Sequence, residues 1–435
     1  MNLKEQIEEY LQKNKFEIVS RTCDLVKIPS INTQDDSGKP YGSECARALD
    51  FCDRLCKQKG LVTKNYDYRC LEVMCGEHQS GKRLVIATHA DVVPTEDDNL
   101  YAPFAGEVYG DYIIGRGVVD DKGPLIASLY ALAFFREYHI PLKNDIRLVF
   151  GSNEECGMDD LAYYLEKAGQ PDWGLSVDDD FPTVNGEKGL VHFSICAPKA
   201  DCIEQIKSYG SKQRLVHDYC ESVISGEKTI IGKTEKIPNP ILHLFTREER
   251  LLKNEQDEKQ IRELLADPEG FCIGINHSDE MSGKTSVKVF SAETKGENLI
   301  LSFDIRTPVT LNTDEVVEKL MNYGTKTGMQ VTVEKVSKGY YKDPDDKMVS
   351  MMTELYNNEF RTNEKPYVMG ACTYARLFEN GCGFGGGNPH EVKPFPKGHG
   401  AAHGADEAHN ISVLLDAVKM LILGIQAIDN QWSEQ

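Results

Sequence analysis

The hydrophobic pattern of this chain changes texture along its length. Over residues 3–27 the apolar positions Leu3, Ile7, Leu11, Phe16, Val19 and Leu25 fall near a 3.6-residue period, which predicts an amphipathic helix. Arg83-Leu84-Val85-Ile86-Ala87-Thr88 is a short, nearly unbroken apolar run, as expected of a strand covered on both faces. Asp121-Lys122-Gly123-Pro124 then opens a helix to about Tyr138, with Leu125, Leu129, Leu132 and Phe135 along it. Ile146-Arg147-Leu148-Val149-Phe150 predicts the next strand, and Asp159 to Ala168 another helix. Strands alternating with helices imply an α/β unit built on a largely parallel sheet.

From about residue 188 the pattern shifts. Val191-His192-Phe193-Ser194-Ile195-Cys196 alternates polar and apolar positions, as a strand with one covered face does. A charged stretch at 246–265 reads as helical. Ser286-Val287-Lys288-Val289-Phe290 and Leu299 to Ile305 read as antiparallel strands, 313–324 as a helix, and Gln330 to Val336 as a further strand. The α/β texture returns near 360 and ends in an amphipathic helix at about 411–429. No repeat or low-complexity tract interrupts it. The predicted architecture is an α/β domain with a mixed, largely parallel sheet flanked by helices, formed by residues 1–187 and 360–435. An inserted α+β domain, 188–359, interrupts it.

Composition narrows the function. At 435 residues, 40% of them hydrophobic, the chain can build two or three cores and is not a disordered protein. It carries 49 Lys+Arg against 69 Asp+Glu, a net charge of −20, which argues against nucleic acid as a partner. The first ten residues lack a basic segment followed by an apolar one, so no signal peptide is expected. With no run of about 18 uninterrupted apolar residues, no membrane span is expected either. Thirteen cysteines are scattered without a CxxC pair, which suits a reduced, cytoplasmic chain using Cys as a small hydrophobe. The acidity is uneven: residues 188–359 balance to −5, leaving −15 on the rest.

Four polar clusters follow strand candidates: Thr88-His89-Ala90-Asp91-Val92-Val93-Pro94, the run Gly115 to Gly123 with Asp120-Asp121, Ser152-Asn153-Glu154-Glu155-Cys156-Gly157, and Ser176-Val177-Asp178-Asp179-Asp180. Each alone has an ordinary reading: a surface pair, an acidic helix start, a solvated loop, a turn. Together, at successive strand carboxyl ends where α/β sheets bind ligands, they point to a cation that offsets the carboxylates. Imidazole and carboxylate donors suit zinc, manganese or cobalt. The surplus of carboxylates exceeds what one tetrahedral ion needs and fits two ions that share a bridging carboxylate.

These motifs resemble the di-zinc peptidases that include acetylornithine deacetylase, succinyl-diaminopimelate desuccinylase and carboxypeptidase G. The run Asn185-Gly186-Glu187-Lys188-Gly189 and the run Gly370 to Arg376 look closest to the PepV-type and staphylococcal-type metal-dependent dipeptidases. The resemblance implies two divalent cations, Zn or Mn with Co as an alternative. His89 and Asp178 would hold one and Glu155 and His403 the other, with Asp120 bridging both. Asp91 would orient His89, and Glu154 would be the general base. It also implies a cis peptide at Asp120–Asp121. His399 competes with His403 for the last ligand position, and the spacing from His403 to Glu407 favours His403. His390, His399 and His409 are read as ordinary polar residues. In the inserted domain, expected to act as a lid, Arg306 in Asp304-Ile305-Arg306-Thr307-Pro308 would clamp a substrate carboxylate, or else pair with Asp304. Gly385 and Gly386 would allow close approach of backbone to substrate, or form a turn.

The sequence departs from the family pattern at two lid positions. Lys236, in Gly232-Lys233-Thr234-Glu235-Lys236, stands where the family has His, and Arg214 stands where it has Asn. Either Lys236 and Arg214 stabilise an oxyanion as cations, or His217 or His243 substitutes, or the substrate differs. The resulting expectation is a cytoplasmic metal-dependent dipeptidase acting on short peptides, with no nucleic-acid or membrane partner and a monomer before a homodimer. The alternatives are an amidohydrolase of N-acyl amino acids and a non-catalytic, metal-dependent peptide-binding protein.

Overall fold

A computed structural model describes residues 2–76, 81–95, 98–210 and 218–433. The chain divides into two compact units. The first comprises 1–185, 342–367 and 372–435; the second comprises 186–341 and 368–371. The return to the first unit therefore comes at 342, earlier than the sequence reading placed it. The reason lies in the helix Lys347–Phe360, whose Met348, Val349, Met352 and Tyr356 are buried in the first unit's main core.

The first unit is built on a mixed sheet. Asp145–Gly151, Arg83–His89, Trp173–Ser176 and Gly381–Gly383 run parallel and adjacent, in that order. Cys70–Met74 and Val62–Tyr66 extend one side antiparallel. Alternation along Arg83–His89 explains why both faces are apolar. Leu84 and Ile86 enter the main core with the helices Leu3–Val26, Ser43–Gln58, Lys122–Glu137 and Ile411–Ser433. Val85 and Ala87 enter a second core under Asp159–Ala168 and the 3₁₀ turn Tyr374–Leu377. The closing helix runs to Ser433 and is more apolar than the sequence reading suggested. By length and composition it could cross a membrane. In this fold it is a core helix, with Leu414, Ala417, Val418, Leu421 and Ile425 buried.

The second unit is a seven-stranded antiparallel sheet, in the order Glu227–Gly232, Tyr219–Ile224, Ile203–Tyr209, Ser286–Lys295, Asn298–Thr307, Gly189–Pro198, Gln330–Ser337. Val191, Phe193 and Ile195 face its core, where Phe193 stacks on Phe303 at 4.9 Å. The expected helix over 246–265 is two: Pro240–Arg247 and Glu255–Leu265. Leu251 and Leu252 between them turn into the core, and Glu258 accepts their amides at 2.9 and 3.0 Å. Asn254 caps the second helix by accepting from Gln256 N at 2.8 Å, a cap of about 1 kcal/mol.

Candidate metal centre

The three parallel strands Arg83–His89, Asp145–Gly151 and Trp173–Ser176 end side by side, and each is followed by chemistry. His89 is the last residue of its strand, Glu154 and Glu155 form the turn after the second, and Asp178 follows the third. Asp120 enters from the loop before Lys122–Glu137, with a cis peptide to Asp121, and His403 from the loop 400–407.

Asp120 lies between the two histidines. Its Oδ1 is 2.9 Å from His89 Nε2, and its Oδ2 is 2.9 Å from His403 Nε2. Each histidine meets a further carboxylate: Asp178 at 3.7 Å from His89, and Glu155 at 3.1 Å from His403. One ligand atom each from His89, Asp120 and Glu155 lies within 4.8 Å of the others, as does one each from His89, Glu154 and Asp178. The structure thus brings together His89, Asp91, Asp120, Glu154, Glu155, Asp178 and His403 in one place.

Glu154 and Glu155 sit in a turn that follows the strand Asp145–Gly151. Asp91 fixes that turn: its carboxylate accepts from the amides of Glu154 and Glu155, both at 3.2 Å. His89 Nδ1 lies 3.0 Å from the Asp91 carbonyl oxygen and 3.4 Å from its carboxylate, so Nε2 is the atom left for a ligand. Asp121 supports the same residue from the backbone, accepting from His89 N at 3.0 Å.

The electrostatics call for added positive charge. Burial alone would lower His89, but Asp120, Asp178 and Asp91 raise it well above its ordinary value. Partial burial would lower His403 too, but Asp120 and Glu155 raise it to about 11. Burial, reinforced by the Asp120 charge, pushes Asp178 up to about 8 and Glu155 up to about 6. Glu154 is raised well above the carboxylate range, by burial first and then by Asp178 and Glu155, although His89 opposes this. Burial would raise Asp120 too, but the two histidines pull it below its usual value. The centre therefore holds protons wherever cations could stand in their place. Glu154 Oε1 is buried without a hydrogen-bond partner among the described residues, and His89 Nε2 and Asp120 Oδ1, buried 2.9 Å apart, are not aligned for a hydrogen bond. Buried polar atoms left without hydrogen bonds, converging from imidazole and carboxylates, fit a divalent cation.

The other histidines lie outside the group. His390 is exposed beside Glu364, His399 pairs with Asp406 at 2.6 Å, and His409 is buried, where burial and Lys393 lower it to about 4. Gly385 has φ 80°, and a Cβ there would meet the Phe181 ring at 2.1 Å. At Gly386 a Cβ would meet Asp179 O and Pro124 at 3.1 Å, so packing beside Asp178–Asp180 accounts for both glycines without a substrate. In the second unit, Arg306 Nε lies 3.1 Å from both carboxylate oxygens of Asp304, and Nη1 donates to Gly370 O at 2.6 Å. Asp304 also meets His192 at 2.9 Å. Lys236 and His243 are exposed, while Arg214 and His217 lie outside the described residues.

Sequence reasoning missed Asp160 and Tyr374. Asp160 Oδ2 accepts from Ser152 N, Asn153 N and Tyr374 Oη at 2.6, 2.7 and 2.5 Å, so it fixes the approach to Glu154. Its only sequence signal was an acidic helix start. A Cβ on Gly151 would lie 1.9 Å from Tyr374 Oη, so this packing requires glycine at the strand's end.

Residues 85–426 match Peptidase family M20/M25/M40. The Bacillus subtilis strain 168 protein named "Putative dipeptidase YtjP" is 26% identical over a 453-residue alignment, which covers 93% of this chain and 95% of that protein. Human carnosine dipeptidase 1 has a similar fold, with a TM-score of 0.68 at 15% identity, covering 99% of each chain. The Bacillus subtilis YxeP protein, described as a dinuclear metal binding peptidase, gives a TM-score of 0.55 at 9% identity, over 95% of this chain and 99% of that one.

Proposed function

The chain belongs to peptidase family M20/M25/M40, and from that membership we propose a dipeptidase that cleaves short peptides at a two-cation centre. The observation that carries this reading is the Asp120 carboxylate, which reaches a histidine with each oxygen while each histidine meets a further carboxylate. His89 and Asp178 would hold one ion and His403 and Glu155 the other, with Asp120 shared. Bound divalent cations supply Lewis acidity toward a peptide carbonyl and lower the pKa of water.

Glu154 is the residue that moves the proton. Its buried carboxylate accepts one from the attacking water and delivers it to the leaving amine. Its affinity for protons, raised by burial, suits that exchange. Asp91 keeps both His89 and the Glu154 amide in place. Zn or Mn is the proposed metal, since the donors are imidazole and carboxylate without thiolate. Residues 186–341 are assigned as a lid whose Arg306 takes the substrate's carboxylate, with Asp304 aligning the guanidinium. Lys236 and Arg214 are assigned as the lid cations that would stabilise an oxyanion. Thirteen cysteines, with no disulfide among the described residues, support a reduced compartment, for which we propose the cytoplasm.

The test is hydrolysis across a panel of free-amine dipeptides and N-acyl amino acids, with metal content measured in the same sample. Dipeptide cleavage is expected. Cations bound with no cleavage of any dipeptide would overturn the reading. Glu154→Gln is expected to lower turnover by about 10²–10⁴-fold while metal content stays unchanged. Turnover near wild type would remove Glu154 as the base.

A further inference from the structure

Glu407 is buried, and each oxygen of its carboxylate receives two donors. Oε2 accepts from Arg116 Nη1 at 2.6 Å and from Gly117 N at 2.9 Å. Oε1 accepts from Val119 N at 2.8 Å and from Asp120 N at 3.1 Å. Three of these donors are backbone amides of the loop that carries the shared carboxylate, and one is the amide of Asp120 itself. Arg116 also reaches in the other direction, donating from Nη2 to Gly404 O at 3.0 Å, one residue beyond His403. The side chains of Arg116 and Glu407 are 2% and 1% exposed. Solvent neither competes for these bonds nor screens the pair.

The arrangement is specific to a carboxylate. All four partners are donors, so a Gln at 407 would turn its NH₂ against one pair of them whichever way it sat. A Lys at 116 would keep the charge but lose the planar fork that spans Glu407 and Gly404. The loop bearing His403 has a single bridge, His399 to Ala405, before the strand Ala408–Asn410, whereas His89 is itself the last residue of a paired strand and has Asp91 and Asp121 behind it.

We propose that Glu407 and Arg116 are positioning residues of the metal centre: they set Asp120 against His403, and so govern occupancy of the His403–Glu155 half more than of the His89–Asp178 half. The proposal rests on the two-cation reading above.

The test is calorimetric titration of the metal-stripped full chain with Mn²⁺ or Zn²⁺, for wild type, Glu407→Gln and Arg116→Lys, with far-UV circular dichroism as a check on fold. In each variant, one uptake is expected at wild-type affinity and the other weakened roughly 10–100-fold, as for other groups that support metal ligands. Two uptakes at wild-type affinity in both variants would overturn the proposal. Equal weakening of both uptakes would overturn it as well, because a general loosening of the fold does not discriminate between halves. Should Glu407→Gln fail to fold, Arg116→Lys decides by the same criterion. A wild type that takes up no cation overturns the two-cation reading and this proposal together. Two wild-type uptakes with unaltered variants overturn the proposal alone.

Discussion

The two histidines that face Asp120 are held by different means. His89 is fully buried at the end of a strand paired on both sides, and its ring is set by Asp91. His403 has a side chain 26% exposed, sits in a loop, and adopts the left-handed conformation at φ 59°. Its loop is anchored by other groups: Arg116 on Gly404, and Asp406, which accepts from the amides of Leu100 and Tyr101 at 2.8 and 2.9 Å. A strand end inherits its precision from the sheet's hydrogen-bond ladder. A loop ligand needs its own buried carboxylates, and this chain supplies Asp406 and Glu407 three and four residues after His403.

The comparison breaks most severely at the residue the two halves share. Asp120→Ala is expected to abolish both cation uptakes and to lower dipeptide hydrolysis by at least about 10³-fold. A variant that still bound two ions would show that the halves are independent.

A smaller effect separates the halves. His403→Ala is expected to leave one ion bound per chain, whereas His89→Ala should lose that ion and impair the other as well. Metal analysis after dialysis reads the stoichiometry directly. If the two variants lose metal identically, the strand-end half has no advantage.

The mildest perturbation is pH. Between pH 4 and 8 the folded, metal-free protein binds more protons than the unfolded chain at Asp178, raised to about 8, at Glu155 in the lower part of that range, raised to about 6, and at His403 in the upper part, raised to about 11. Stability of the metal-free protein should therefore fall as pH rises through that window. Asp120 has the opposite sign, but its effect lies below its ordinary value, and His409, lowered to about 4, opposes only below about pH 6.5, where Asp178 and Glu155 together outweigh it. Cations replace those protons, so added Mn²⁺ should flatten the profile and bind more tightly toward pH 8. Thermal melts at pH 5, 6.5 and 8, with and without metal, read this. A metal-free Tm that rises with pH would contradict the assignment.

Much of the first unit was legible in the chain itself, because its strands are continuous apolar runs and its helices are strongly periodic. Arg83–His89, Asp145–Gly151 and Lys122–Glu137 lie within a residue or so of where the pattern put them. His89, Glu154, Glu155 and Asp178 were legible for the same reason, since they follow strands that apolar runs mark, whereas Asp120 and His403 stand in loops and were named through the family resemblance. The break at 248–254 was not, because Leu251 and Leu252 fit a helical period as well as they fit the core they fill. Nor was the assignment of Lys347–Phe360 to the first unit, which depends on which core its Met and Val residues reach.

The sequence by itself determined which residue types could bind a cation and which strands would deliver them, because local periodicity and motif spacing are properties of neighbours in the chain. Only the tertiary structure decided that Asp120 faces His89 and His403 with separate oxygens, across 283 residues from Asp120 to His403. It alone also decided that Glu407 holds the amide of Asp120, and that Tyr374 and Asp160 brace the turn before Glu154. These contacts join segments far apart in sequence. They exist because the packed cores bring strand ends and loops to one place, and no local pattern encodes that meeting.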